Sequence, residues 1–353
     1  MIVTAAAERE LIVSVLSAYG APPAAAALQA RWLVEADLRD VGSHGLQRLP
    51  MLVRRIERGL IAPAADPDVS WRTSSVLVVD GRRGFGPVAG LRAVQECVER
   101  ARSAGLALAA VGNANHLGIL APYVEAAADH GMIGIAVTTS EALVHPFGGR
   151  VAMIGTNPLA IAVPARPGPL VLDMATGEVS MGRILRHARA GQPIPPGWAL
   201  DAAGEPTTDP AAAAAISPFG GAKGAGLGLA LEVLVATLTA SALGRDVHGT
   251  LDADDACNKG DVFLVADPSA LPGGSQDGPV SEYLDAVRAT PVQEGAAAVR
   301  VPGDRARAER ARRQRAGVEV PDRVWHEALE LARGQPASVN DGRRGVTPPR
   351  PGV

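Results

Sequence analysis

Apolar residues recur at helical spacing from Ala5 to about Tyr19, and again from Pro22-Pro23 to about Arg39, where the proline pair suits a helix start. Leu49 to Gly59 reads as a third helix, stopped by Gly59 and followed by a connector carrying Pro63 and Pro67. The first seventy residues therefore form a helical unit. The pattern then changes. Val76 to Asp80 is a buried-strand run, a glycine-rich turn follows, a helix is expected over about Ala89 to Ser103, and a second strand over Leu106 to Val111. Helix Leu120 to His130, strand Met132 to Thr138, a loop from Ser140 to Gly149, and strands near Leu159 to Val163 and Leu170 to Leu172 come next. Such alternation predicts α/β architecture with a mixed sheet. The Pro, Gly and Ala-rich stretch Gln192 to Ile216 reads mostly as loop, and Asp261 to Ala266 as a strand ended by Asp267-Pro268. The apolar run Leu227 to Leu243 is shorter than a usual membrane span and carries Glu232, so a buried helix is expected there.

Composition sharpens this picture in two places. Hydrophobic residues make up 47% of the 353 residues and aromatics only 3%, so alanine, valine and leucine must fill the interior by close packing of small side chains. A formal charge of -3 and a pI near 6.2 provide no field that draws nucleic acid or anionic lipid, and neither partner is expected. Cys97 and Cys257 are too few and too far apart for a disulfide framework or a cysteine zinc site, the seven histidines are scattered, and no metal is expected. With a start that lacks a basic leader and soon turns charged at Glu8-Arg9-Glu10, the chain is expected to be cytoplasmic. Arg305 to Arg315 is strongly basic but interrupted by Glu309 and free of aromatics, which predicts a solvated helix face; the Pro/Gly/Arg-rich tail from Gly334 to Val353 is expected to be disordered.

Four short stretches carry candidate chemistry. In Asp40-Val41-Gly42-Ser43-His44-Gly45-Leu46-Gln47-Arg48, Ser43 can hold one ring nitrogen of His44 while the other faces a substrate, and Arg48 suits a carboxylate. The same residues also read as a plain helix start, with Ser43 as N-cap and Arg48 solvated. Gly112-Asn113-Ala114-Asn115-His116-Leu117-Gly118 follows a strand, so His116 sits at a sheet mouth, either capped or catalytic. The glycine-rich approach through Lys223-Gly224 to the long helix suits a phosphate at a helix start, or is simply a glycine-packed entry. Asp173-Met174-Ala175-Thr176 ends a strand with a carboxylate and a hydroxyl that fit a ribose or a cap. By contrast Gly84-Phe85-Gly86 and Gly90 only mimic a dinucleotide fingerprint, because the spacing is wrong by one residue and no acid ends the second strand; these glycines shape a turn.

Taken in order, Ser43 to Pro50, Gly112 to Gly118, Gly155-Thr156-Asn157-Pro158-Leu159-Ala160, Asp173 to Thr176, Pro218-Phe219-Gly220-Gly221-Ala222-Lys223-Gly224 and Val301-Pro302-Gly303-Asp304-Arg305 resemble the malate/L-lactate dehydrogenase type 2 family over about residues 5 to 332. The resemblance implies an α/β fold in which a non-Rossmann, mixed-sheet NAD(P)-binding domain (71–267) joins a helical domain formed by both chain ends (1–70 and 268–333), working as a homodimer. It implies NAD or NADP as cofactor and a small carboxylate-bearing substrate. By position it makes His44 the proton donor and acceptor, Ser43 its hydroxyl neighbour, Arg48 the carboxylate ligand and His116 a second catalytic histidine. It places Ser140, Asp173, Met174, Ala175, Thr176, Lys223, Gly224, Asp304 and Arg305 along the cofactor. Met51 stands where many members have an aromatic, Gly177 where serine is common, and Arg183 where lysine is common. The expected reaction interconverts a 2-hydroxy acid and its 2-oxo acid by hydride transfer. The alternatives are reduction of a cyclic imino acid and a non-catalytic nucleotide-binding member.

Overall fold

The computed structural model describes residues 1–334, and the expectation for the tail beyond Gly334 lies outside them. The chain opens with β1 (Ile2–Val3), α1 (Ala5–Ala18), α2 (Pro23–Leu38) and α3 (Leu49–Glu57). It continues with β2 (Asp68–Trp71), β3 (Val76–Asp80), α4 (Gly86–Ala104), β4 (Leu106–Gly112), α5 (Ala121–Ala128), β5 (Ile133–Thr138), β6 (Ala142–Val144), β7 (Ile154–Gly155), β8 (Leu159–Val163) and β9 (Leu170–Met174). Then come α6 (Met181–Ala190), β10 (Ala199–Leu200), β11 (Pro206–Thr207), β12 (Ala215–Ile216), α7 (Ala222–Thr239), β13 (Asp261–Ala266), α8 (Asp277–Arg288), α9 (Asp304–Ala316), β14 (Val318–Glu319) and α10 (Asp322–Ala332).

The main sheet has seven strands in the order β2-β3-β4-β13-β5-β8-β9. Only β3 and β4, joined by α4, run parallel; every other neighbour pair is antiparallel. Strand β13 arrives late in the chain yet lies between β4 and β5, with Asp261 opposite both Val111 and Thr138. This register decides where chemistry collects. The ends of β4, β5 and β9 and the starts of β8 and β13 all meet at one edge of the sheet, so the segments after Gly112 and Thr138, around Thr156 and Thr176, and before Asp261 converge there. A smaller sheet, β11-β10-β12-β6-β7, occupies the stretch read from sequence mostly as loop.

Two large cores result. One packs α4 and α5 on the sheet through small residues such as Ala93, Ala107, Ala109, Ala136 and Ala160. Trp32, Tyr123 and Phe263 stack through its middle, with ring centroids 4.8 and 5.3 Å apart. Gly90 makes room for them, since a Cβ there would lie 2.7 Å from the Tyr123 ring. The other core joins Ile12, Leu16, Leu38, Leu49 and Val53 from the first helices to Val318, Ala328 and Leu331 from the last elements.

Two sequence expectations are refined. Arg305 to Arg315 is helical with no buried residue, as a solvated face requires, and two of its arginines also reach back to the rest of the fold: Arg310 pairs with Glu35 at 2.7 Å and Arg313 with Asp40 at 2.6 Å. The apolar run near Leu227 is a helix that starts earlier, at Ala222, and it is buried on one face only: Gly228, Glu232 and Val235 are buried, whereas Leu227, Val233, Leu234 and Leu238 face outward. By length and apolar character α7 reaches what a membrane crossing requires. Its midpoint, however, is anchored in the fold, because the buried Glu232 carboxylate accepts from Gly155 N–H (2.9 Å), Asn157 Nδ2 (2.7 Å) and Gly244 N–H (2.6 Å). An all-round apolar helix has no periodic stripe, so its pattern cannot say which side is covered or by what.

Candidate functional site

Between α2 and α3 the chain makes two short 3-10 turns, Gly42–His44 and Leu46–Arg48, entered through Asp40 in the left-handed region at φ 61°. Ser43 does not cap a helix. Its Oγ lies 2.9 Å from His44 Nδ1, leaving Nε2 as the unengaged ring nitrogen. Gly182, at the start of α6, abuts this hydroxyl residue so closely that a Cβ there would lie 2.6 Å from Ser43 Cβ. Strand β4 delivers the second histidine. After Gly112 the loop turns through Asn113 (φ 50°), and Asn115 is tied by its amide to the carbonyls of Arg83 (2.8 Å) and Gly84 (3.0 Å). Gly86 explains part of the glycine-rich turn: a Cβ there would meet the carbonyl of His116 at 2.3 Å. The Gly118 N–H donates to His116 Nδ1 (3.0 Å), which places the proton of the neutral ring on Nε2.

The two imidazoles stand with centroids 5.2 Å apart and planes 31° from parallel. Burial holds His44 down to about 4, with the Arg48 guanidinium adding to the effect. His116 is lowered well below the usual histidine range by burial first, then by Arg48, His44, Lys259 and Arg55. Both rings are therefore neutral near pH 7. Of the cations around them, Lys259 is paired with Asp261 and Arg55 with Asp252.

Sequence reasoning missed much of this shell. Lys259 and Asp261 form an ion pair, 2% and 1% exposed, at the start of β13. Arg55 donates to Asn115 Oδ1 (3.1 Å) and to the carbonyls of Asp252 (2.7 Å) and Asp255 (3.1 Å), while Arg48 donates to the carbonyl of Thr250. Glu141 receives the other side of the same strap, accepting from the Thr250 and Leu251 N–H groups at 2.6 and 2.7 Å. The partners of the strap lie about one to two hundred residues apart along the chain, and no local motif signals them.

The cofactor candidates divide into groups. Ser140 and Thr176 come together through Thr156: Ser140 Oγ accepts from Thr156 N–H (2.9 Å) and Thr176 Oγ1 donates to the Thr156 carbonyl (3.0 Å). Met174 and Ala175 complete the strand end leading to Thr176, and Lys223 and Gly224 fall in the first turn of α7, with Lys223 exposed. Asp173 accepts from the Leu120 and Ala121 N–H groups (3.0 and 2.8 Å) and so caps α5. Asp304 is engaged by Arg288 and Arg307 and starts α9, while Arg305 is exposed near Asp40. A cleft of about 380 Å³ runs from Val41 and Ile119, beside the two histidine loops, past Asp173 to Arg300 and Arg305. Arg300 and Arg305 at its far end are donors of the kind that hold a phosphate.

A family model described as malate/L-lactate dehydrogenase matches residues 3–328. Among solved structures, a dehydrogenase from Sinorhizobium meliloti is 49% identical, superposes with a TM-score of 0.90, and the match covers 94% of this chain and 98% of that one. Similarity extends to the (2R)-3-sulfolactate dehydrogenase (NADP(+)) of Chromohalobacter salexigens, 37% identical over 91% of this chain and 95% of that protein. It extends equally to a Delta(1)-pyrroline-2-carboxylate reductase of Pseudomonas fluorescens, 38% identical over 87% of this chain and 91% of that protein.

Proposed function

Because the chain belongs to the malate/L-lactate dehydrogenase family, we propose that it is an NAD(P)-dependent oxidoreductase interconverting a small 2-hydroxy acid and its 2-oxo acid. The observation that carries this reading is the pair of neutral imidazoles beside Arg48. Arg48 holds the substrate carboxylate, which orients the adjacent carbon and removes the entropy of a free encounter. His116, with its proton fixed on Nε2, donates a hydrogen bond to the reacting oxygen. His44 moves the proton: in oxidation its Nε2 takes the hydroxyl proton while Ser43 steadies Nδ1, and in reduction the protonated ring returns it. The arginine-ended cleft would hold the nicotinamide cofactor, which would supply or accept the hydride. In domain terms the reading is a non-Rossmann cofactor domain at 71–267 joined to a helical domain of residues 1–70 and 268–333. The single parallel pair in the sheet and the core shared by both chain ends support it.

One observation favours a second substrate class. An iminium carries its own proton, so a site whose histidines are neutral near pH 7 also suits reduction of a cyclic imino acid, as the name of the Pseudomonas relative indicates for that protein. Parallel assays of pyruvate, oxaloacetate and 3-sulfopyruvate against Δ1-pyrroline- and Δ1-piperideine-2-carboxylate, each with NADH and NADPH, decide between the two. Calorimetric binding of NAD(P) with no turnover of any of them would leave a nucleotide-binding protein without catalysis.

The exposed face of α7 supports a homodimer. Leu227, Val233, Leu234 and Leu238 form an outward surface on a helix whose only charged residues are Lys223 in its first turn and the buried Glu232, and a charge-free apolar face is complementary to a second copy of itself. Light scattering is expected to give twice the chain mass for the native protein. Leu234→Glu, which places a charge at the centre of the face, is expected to give the monomer.

A further inference from the structure

Behind the turn that carries His44 and Arg48 lies an acid pair that the reaction above does not use. Glu8 of α1 is fully buried, and neither of its oxygens has a hydrogen-bond partner of ordinary geometry. It faces Asp37 of α2, 7% exposed, whose Oδ2 accepts from the Leu46 N–H at 2.6 Å. Leu46 opens the second of the two turns, midway between His44 and Arg48. The carboxylate reaches that N–H only because residue 45 is glycine: a Cβ at Gly45 would lie 2.1 Å from Asp37 Cγ. Gly45, at φ −91°, is therefore required for room and not for an unusual backbone angle.

Other charges close the arrangement from each side. Arg313 of α9 donates to the Asp37 carbonyl (2.8 Å) and pairs with Asp40 at the end of α2, and Arg9 lies beside Glu8 on α1. Two carboxylates facing each other away from water cannot both ionise cheaply. Burial, then the Asp37 charge, raises Glu8 to about 9. Asp37 is raised by burial to about 6, opposed chiefly by Glu8 and the Leu46 N–H. Of the two, Asp37 is the one whose carboxylate accepts the Leu46 N–H. Because the folded Glu8 keeps a proton that the unfolded chain releases from about 4.5 upward, its contribution to stability is greatest in acid and is gone once the pH passes about 9.

We propose that Asp37, with Glu8 packed against it, is a positioning residue for the reaction, its carboxylate fixing the Gly45–Leu46 peptide, so that the spacing of His44 and Arg48 depends on a buried group that touches neither substrate nor cofactor. The proposal rests on the oxidoreductase reading for its kinetic consequence but not for its structural one. The test combines steady-state kinetics with amide hydrogen exchange of the peptide spanning Leu46, for the native protein, Asp37→Ala, Asp37→Asn and Glu8→Gln. Asp37→Ala is expected to lose about 10²-fold in kcat/KM, as a displacement of about 1 Å would produce, with NAD(P) affinity unchanged and Leu46 protection lost. Asp37→Asn, whose amide oxygen still accepts from Leu46, recovers most of both. In the native protein protection and activity fall as the pH passes about 9, and Glu8→Gln, which cannot ionise, flattens that limb. Unchanged protection in Asp37→Ala, or an alkaline limb identical in Glu8→Gln, overturns the proposal. Should the native protein reduce no oxo or imino acid, the oxidoreductase reading fails while the exchange arms still decide whether Asp37 holds the turn.

Discussion

Replacing His44 with alanine lowers kcat by about 10²–10⁴-fold and leaves NAD(P) binding intact. The assignment to His44 in preference to its neighbour follows from the two Nδ1 atoms. His116 Nδ1 accepts from a backbone N–H, which cannot reverse its role, so the neutral His116 ring keeps its proton on Nε2 and acts as a donor. His44 Nδ1 faces a hydroxyl, and Ser43 can either donate or accept, so this ring can exchange tautomers as the reaction requires. The pH profile separates the chemistry from a merely structural effect. Since burial and Arg48 hold His44 down to about 4, kcat/KM for oxidation of a hydroxy acid should stay flat through neutrality and fall only as the pH approaches that value. The same depression means that the unfolded chain takes up a proton at His44 between its ordinary value of 6.5 and about 4, so His44 subtracts from stability across that window as the pH falls. An alanine variant with near-native turnover would remove His44 from the mechanism, whereas an acid limb near 6.5 in the native enzyme would remove only the depression by burial and Arg48.

The distribution of legible and illegible features has a physical basis. Ser43, His44 and Arg48 lie within six residues, and His116 follows directly from a strand whose apolar run is unmistakable, so local spacing suffices to nominate them. What local spacing cannot supply is the late insertion of β13 between β4 and β5, which brings Lys259 under His116 and is set by strand pairing across more than a hundred residues. The strap from Thr250 to Asp255 is invisible for the same reason, because its partners Arg48, Arg55 and Glu141 are reached through backbone carbonyls and N–H groups that every residue possesses. Arg310 and Arg313 look solvated in sequence because their acidic partners sit on α2, some 275 residues away. Helix α7 fails differently: apolar residues on all sides give the same pattern whether the cover is the chain's own sheet or a second copy. Asp173 and Asp304, which the family resemblance places along the cofactor, have carboxylates that also cap α5 and hold Arg288 and Arg307. A carboxylate at an element's end serves either purpose, and only the partners distinguish them.

Truncating Arg48 to alanine is expected to cost about 10²–10³-fold in kcat/KM, in the range of removing one partner from a buried, hydrogen-bonded charge pair. The guanidinium has two consequences at once. It receives the substrate carboxylate, so its loss raises KM and leaves the reacting carbon poorly oriented, which lowers kcat as well. It is also the charge that, after burial, most depresses His44, so the acid limb of the Arg48→Ala enzyme should move up from about 4 toward the ordinary histidine value of 6.5. Arg48→Lys separates these effects. Lysine keeps a positive charge and hence much of the depression, but it lacks the planar fork that engages a carboxylate through two bonds while another N–H remains on the Thr250 carbonyl. The lysine enzyme should therefore retain a low acid limb and still show a raised KM for carboxylate substrates. Both variants should bind NAD(P) as the native protein does. If instead Arg48→Ala weakened cofactor binding and left the KM for the acid unchanged, Arg48 would serve the cofactor and not the substrate carboxylate.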